Sequence, residues 1–349
     1  MTAAPNPENT DQSKTRVPIL DGWRGISILL VLAGHMLPIG PKWLKLNAMV
    51  SASGLSLFFF LSGFLVVSML LKNDNIISFF IRRLFRILPL AYLALIVLLL
   101  ANAAPTHVWL ANLFFYANII PDDLLPHGDH LWSLCVEVQF YLAVGLTVAA
   151  LGRRGLLLVP IACVAVTAAR AAYEIEFSIV TWFRIDEILV GGTVALFLNS
   201  SKPTRTPQEW PAYVSFGLFA ALLLSSHESF GYLCYLRPYI AALLIYSTMQ
   251  RFDFLYALLS SPWLRYLATT SYALYVIHPL TYAGWLGEGD VVIKYSKRIL
   301  SFILTFLLAH LSTKYYERHW NELGHRLSAR VSTHRGQKVA AGPQPVVNQ

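Results

Sequence analysis

Apolar residues in this chain gather into long runs separated by short polar clusters. A helix that crosses a bilayer needs about 20 mostly apolar residues. Runs near that length lie at 24–40, 54–72, 87–104, 131–151, 155–172, 183–199, 212–226, 232–249, 266–286 and 299–316. The sixth is the weakest because it contains Asp186 and Glu187. The stretch 107–118 is apolar but short, and reads as an interfacial or re-entrant helix. The pattern predicts an all-α integral membrane protein of about ten transmembrane helices.

Composition agrees. Of 349 residues, 56% are hydrophobic and 13% charged, against about 25% charged in an ordinary soluble domain. So little ionisable surface excludes a cytosolic enzyme, a nucleic-acid-binding module and a disordered chain. Cys135, Cys163 and Cys234 lie in apolar runs without CxxC spacing and read as buried thiols, so neither a disulfide framework nor a metal site is expected.

The polar segment 1–16 lacks the charged start and apolar run of a signal peptide, and no small-residue cleavage site follows the run from Ile26. That run reads as a retained first span. An N-in/C-in orientation places 19 of the 27 basic residues inside, including Arg82, Arg83 and Arg86, as the positive-inside rule requires. Beyond about Gly324 apolar periodicity is lost. The expected organisation is a disordered cytoplasmic N-terminus (1–16), a transmembrane domain (17–323) and a disordered cytoplasmic tail (324–349). There is no internal repeat and no appended soluble domain.

A charged side chain near the bilayer centre costs roughly 2.5–3.5 kcal/mol on insertion scales. Arg24, His35, His130, Glu137, Gln139, Asp186, Glu187, His278 and Glu317 therefore each need a reason. Arg24 and His35 are three helical turns apart on one face, about 16 Å along the axis. Arg82 and Arg86 are one turn apart, with Arg83 beside them and Pro89 leading into the third span. Topology alone is satisfied by lysine, whereas an all-arginine cluster suits bidentate phosphate binding. His130, Ser133 and Glu137 recur at helical spacing and line one face, while Gln139 falls on another. Tyr275 and His278 are a turn apart, and Pro279 would break the helix and leave carbonyls that need partners. Ser62 and Gly63 read most simply as close-packing positions. Most of the aromatic residues belong to interface belts and helix packing.

These pieces, in this order, resemble the acyltransferase family 3 membrane proteins, which acylate bacterial surface and exported carbohydrates. The matching elements are Leu20-Asp21-Gly22-x-Arg24-Gly25 with His35, and Phe60-Leu61-Ser62-Gly63-Phe64. Arg82-Arg83-x-x-Arg86-x-x-Pro89 follows, then His130-x-Trp132-Ser133-Leu134-x-x-Glu137-x-Gln139-Phe140-Tyr141, and last Ser271-Tyr272 to His278-Pro279. They span about Ile19 to Glu317, and Arg184 through Gly191 is a weaker element. The resemblance implies ten core spans, an acyl-CoA donor (usually acetyl-CoA) from the cytoplasm and a carbohydrate hydroxyl acceptor at the outer side. It makes His35 the catalytic histidine, Arg24 its paired residue, and Arg82, Arg83 and Arg86 the donor-handling element. The form expected is the stand-alone one, without a C-terminal SGNH domain. In the family a Glu often precedes a Pro-containing stretch, whereas here Glu317 precedes Arg318-His319-Trp320.

The expected function is O-acylation, typically O-acetylation, of a carbohydrate by a multi-pass protein of the bacterial inner membrane. Its partners are membrane lipid, acyl-CoA and the acceptor, and not nucleic acid. His35 is expected to act as general base, oriented by a carboxylate from Glu137 or Asp21. An acyl-histidine intermediate is a rival route from the same residue. His130, Trp132, Ser133, Gln139, Tyr275 and His278 are the expected substrate-binding residues. The alternative is a transporter or flippase, since intramembrane Arg, His and Glu also mark ion pathways. A transporter is expected to show inverted repeats, and none is found.

Overall fold

The computed structural model describes residues 17–73, 75–200, 210–249 and 253–340. The segments 1–16 and 341–349, expected to be disordered, lie outside the described residues. The described residues contain helices and no strand. In chain order the helices are α1 (Pro18–Met36), α2 (Leu46–Lys72), α3 (Ile76–Ala101), α4 (Thr106–Leu113), α5 (Trp132–Leu151) and α6 (Leu158–Ala172). They continue with α7 (Asp186–Ser200), α8 (Ala212–Ser225), α9 (Arg237–Thr248), α10 (Phe254–Leu259), α11 (Pro262–Ile277), α12 (Val291–Leu311) and α13 (Arg318–Ala340). A helix stands in each of the ten predicted runs. Among the described residues, four helical stretches are long and apolar enough to cross a membrane: α1, α2, α3 and the run Asp129–Ala172.

The first three helices begin well before the apolar windows do, because their polar leaders find partners. α1 starts at Pro18, where the missing N–H costs nothing. In α2, Asn47 donates to the carbonyls of Gly34 at 2.7 Å and Leu37 at 2.6 Å, tying the helix to the end of α1. In α3, Asn75 caps the N-terminus by accepting from the Ser78 N–H at 3.1 Å. The arginine run therefore lies inside α3 rather than ahead of it, and Pro89 lies mid-helix. Carbonyls beside that proline are claimed from other helices: Tyr272 donates to Ile87 O at 2.6 Å and Tyr316 to Pro89 O at 3.2 Å. A proline is tolerated in a spanning helix when neighbours serve the backbone in this way.

α2 is the central element and packs along both α1 and α7, while α11 lies against α1. The α2–α7 crossing depends on two glycines: a Cβ on Gly63 would overlap the Ile188 carbonyl, and one on Gly191 the Phe60 carbonyl. Such close approach favours dispersion contact where lipid supplies no hydrophobic drive. All three cysteines are buried free thiols.

The C-terminal segment departs from expectation. Instead of a disordered tail from 324, α13 continues to Ala340. It docks on α3 through the small residues Gly324 and Ser328 and through Trp320, whose ring lies 6.1 Å from that of Phe85 between centroids. Gly324 lies on Phe85, and the hydroxyls of Ser328 and Ser78 meet at 2.5 Å. Arg318 and Glu322 add an i,i+4 pair at 2.8 Å.

Candidate active site

Three helices bring three histidines together. His35 is in the last turn of α1, His130 in the turn leading into α5, and His278 caps the C-terminus of α11. His35 Nδ1 stands 2.8 Å from His278 Nε2, with the rings stacked at 5.1 Å between centroids. His278 is fully buried, at 0% exposure. His35 is exposed at one side, although protein packs around it on most others. The ring of His130 meets His278 and Tyr275 edge-on, each at 5.3 Å, and neither of its buried ring nitrogens has a hydrogen-bond partner.

Tyr275 braces this group. Its hydroxyl donates to the His130 carbonyl at 2.5 Å and receives the Ser133 hydroxyl at 2.5 Å, while Phe58 stacks on its ring. The nitrogen of His35 for which a carboxylate is expected is thus occupied by His278. Glu137 is engaged elsewhere, which corrects the expectation that it orients His35.

Glu137 belongs to a second polar group on the same face of α5. Ser62 and Tyr141 both donate to Glu137 Oε1, so Ser62 is a hydrogen-bonding residue and not only a packing one. Arg83 lies over the Tyr141 ring at 5.6 Å and reaches Met69 Sδ at 2.7 Å. Arg24 lies in the field of Glu137, Arg83 and Arg86, and its buried Nε has no partner. Arg24 also borders a cavity of about 340 Å³ between α1, α2 and α7, shared with Asp21, Ser68, Lys72 and Asn199. The cavity opens at the Pro18 end of α1, and its lining does not include His35.

The arginine run divides by helical phase. Arg83 points into the polar interior, Arg82 acts on His325 of α13, and Arg86, one turn from Arg82, acts on both His325 and Arg24. Burial, then the charges of Arg82 and Arg86, push His325 below the ordinary histidine value.

Two predicted substrate contacts have other occupations. The Gln139 amide donates to Phe115 O at 2.7 Å and Asn118 Oδ1 at 2.9 Å, and accepts from Thr181 at 2.5 Å. Its bonding capacity is used in tying α5 to two connecting segments. Trp132 turns toward Arg184, which is caged by Phe177, Trp132 and Phe59 at 5.2, 5.7 and 5.9 Å.

Arg184 opens a buried ionic network that the spacing analysis does not resolve. Arg170 pairs with Asp186 at 2.5 Å, and Arg237 with Glu187 at 2.6 Å. Arg184 stands 3.3 Å from Glu187, and none of its side-chain nitrogens makes a hydrogen bond. Asp186 and Glu187 were visible as costly residues, but their partners come from other elements.

A family model described as an acyltransferase domain matches residues 17–313. A Staphylococcus aureus (strain COL) protein provisionally named an O-acetyltransferase is 25% identical over 361 aligned positions, covering 88% of this chain and 58% of that protein. YrhL of Bacillus subtilis, provisionally named a peptidoglycan O-acetyltransferase, is 28% identical over 379 positions, covering 91% of this chain and 57% of its own. The peptidoglycan O-acetyltransferase OatA of Listeria monocytogenes is 30% identical over 157 positions, 38% of this chain and 24% of that protein. The chain thus spans less than three-fifths of the length of these relatives. No solved structure matches it.

Proposed function

The chain belongs to the acyltransferase domain family, acyltransferase family 3, and on that premise we propose that it is a membrane-embedded O-acyltransferase. It moves an acyl group, acetyl in the simplest case, from cytoplasmic acyl-CoA to a hydroxyl of a surface or exported carbohydrate such as a peptidoglycan sugar. The transmembrane domain is 17–323, with about ten spans in an N-in/C-in arrangement in the bacterial inner membrane. Under that arrangement the cavity beside Arg24 faces the cytoplasm and the exposed side of His35 lies toward the outer half.

The observation that carries this reading is that α1 bears an arginine beside a cavity and an exposed histidine paired with a second histidine, about 16 Å apart on one helix. The nucleotide head of acyl-CoA is a polyanion that lipid excludes, while its pantetheine arm is long and thin. Arg24 and Lys72 border the cavity and suit the head's phosphates, with Arg83 behind. The arm then follows the polar face of α5, past Glu137 and Ser133, to His35.

His35 takes the proton of the acceptor hydroxyl, and that oxygen attacks the thioester carbonyl. The tetrahedral intermediate expels the thiolate, which recovers the proton. General-base assistance of this kind is worth about 10²–10⁴-fold.

Purified protein in liposomes, given labelled acetyl-CoA and a peptidoglycan fragment, tests the reading. Acceptor-dependent transfer is expected, and His35→Ala should lower it at least ~100-fold with assembly intact. Thioester hydrolysis without acceptor labelling, or full activity in His35→Ala, rejects it.

A further inference from the structure

The hydrogen atoms of the histidine pair can be placed from the backbone around them. Pro279 has no N–H, so the Tyr275 carbonyl four residues earlier lacks its helical donor. His278 Nδ1 lies 2.8 Å from that oxygen and 3.2 Å from the Leu274 oxygen. A carbonyl only accepts, so His278 Nδ1 carries hydrogen.

A neutral imidazole with hydrogen on Nδ1 offers a lone pair at Nε2. That Nε2 is the atom 2.8 Å from His35 Nδ1, so His35 donates from Nδ1 and keeps its own lone pair on Nε2. A resident imidazolium at His278 would be a buried cation without an anion. Neither ring has a carboxylate within hydrogen-bond reach among the described residues. The titratable groups around the pair are His130, Tyr275 and Tyr282, with Asp129 acting through space.

We propose that His278 is a positioning residue that holds His35 in the tautomer whose Nε2 is basic, and that by accepting from His35 Nδ1 it steadies the imidazolium that forms there. This rests on the reading of His35 as general base. As the acceptor O–H breaks, an N–H forms at His35 Nε2, and the Nδ1 hydrogen of the new imidazolium points at His278 Nε2. The proton stays on His35, because His278 is fully buried and a cation there would have no anion. His35 Nε2 then surrenders its proton to the leaving thiolate. The partner that serine hydrolases take from a carboxylate is here a second imidazole, aimed by the carbonyl that a proline has freed.

Two measurements on the full chain test this. Histidine-¹⁵N spectra of the protein in nanodiscs, with the His35 signal assigned by His35→Gln, should report the Nδ1–H tautomer for His35. The Nε2–H tautomer would overturn the proposal. In kinetics, His278→Leu should lower kcat about 100-fold while the acetyl-CoA KM moves less than about twofold. His278→Gln restores an acceptor at the ε position and should recover at least about tenfold of that loss. A Gln variant no better than Leu, or a Leu variant with wild-type kcat, also overturns it. A wild-type protein that transfers no acyl group would defeat the proposed function, while the spectra would still decide the pairing.

Discussion

Glu137 is the negative charge among Arg24, Arg83 and Arg86, and it receives the hydroxyls of Ser62 and Tyr141. It does not hydrogen-bond His35. Glu137→Gln should therefore raise the acetyl-CoA KM several-fold while the pH profile of kcat keeps its wild-type shape, as steady-state rates across pH will show. A displaced profile would return Glu137 to the histidine. The types of residue at the site were legible because each is too costly in lipid to be incidental. Their partners were not, since His35 and His278 are 243 residues apart and helical spacing relates only near neighbours. Gln139 shows the limit from the other side. Its different helical phase was readable, but the carbonyl and amide that occupy it were not.

At the scale of elements, α7 begins on two carboxylates buried among Arg170, Arg184 and Arg237. Arg170 has Asp186 to itself, whereas Arg237 and Arg184 share Glu187, Arg237 at 2.6 Å and Arg184 at 3.3 Å. Arg184→Met should leave two closed pairs and cost little, whereas Glu187→Gln strands two guanidinium groups and should destabilise by roughly 3–5 kcal/mol. Thermal unfolding in detergent should rank them in that order, and equal losses would assign Arg184 a structural share of its own. The ten helical segments could be read from apolar length alone. Their starts could not, because they depend on Asn47 bonding to the end of α1, on Asn75 capping α3, and on Arg83 finding partners in α2 and α5. α13 is hard to read for a related reason: its stripe of Trp320, Leu323, Leu327 and Val331 is diluted by the charged and small residues between them.

Across the whole molecule, the C-terminal helix is joined to the arginine run of α3. α13 lies along α3, with His325 facing Arg82 and Arg86. A histidine held below its ordinary value in the folded state resists protonation, while the same residue in an undocked helix does not. Docking is therefore intact above about pH 6.5, the ordinary histidine value, and weakens as pH falls below it. Hydrogen exchange of 318–331 should accelerate on acidification, and His325→Gln should flatten that dependence. A flat wild-type response would show that the helix is held by its packing contacts alone. Elsewhere, Tyr275 ties two parts of the molecule together by chemically unrelated groups: its main-chain oxygen aims His278, and its phenol anchors His130 and Ser133. Phenylalanine at this position would cut the second tie and spare the first. Such a change would loosen His130 and Ser133 while the carbonyl that aims His278 stays in place.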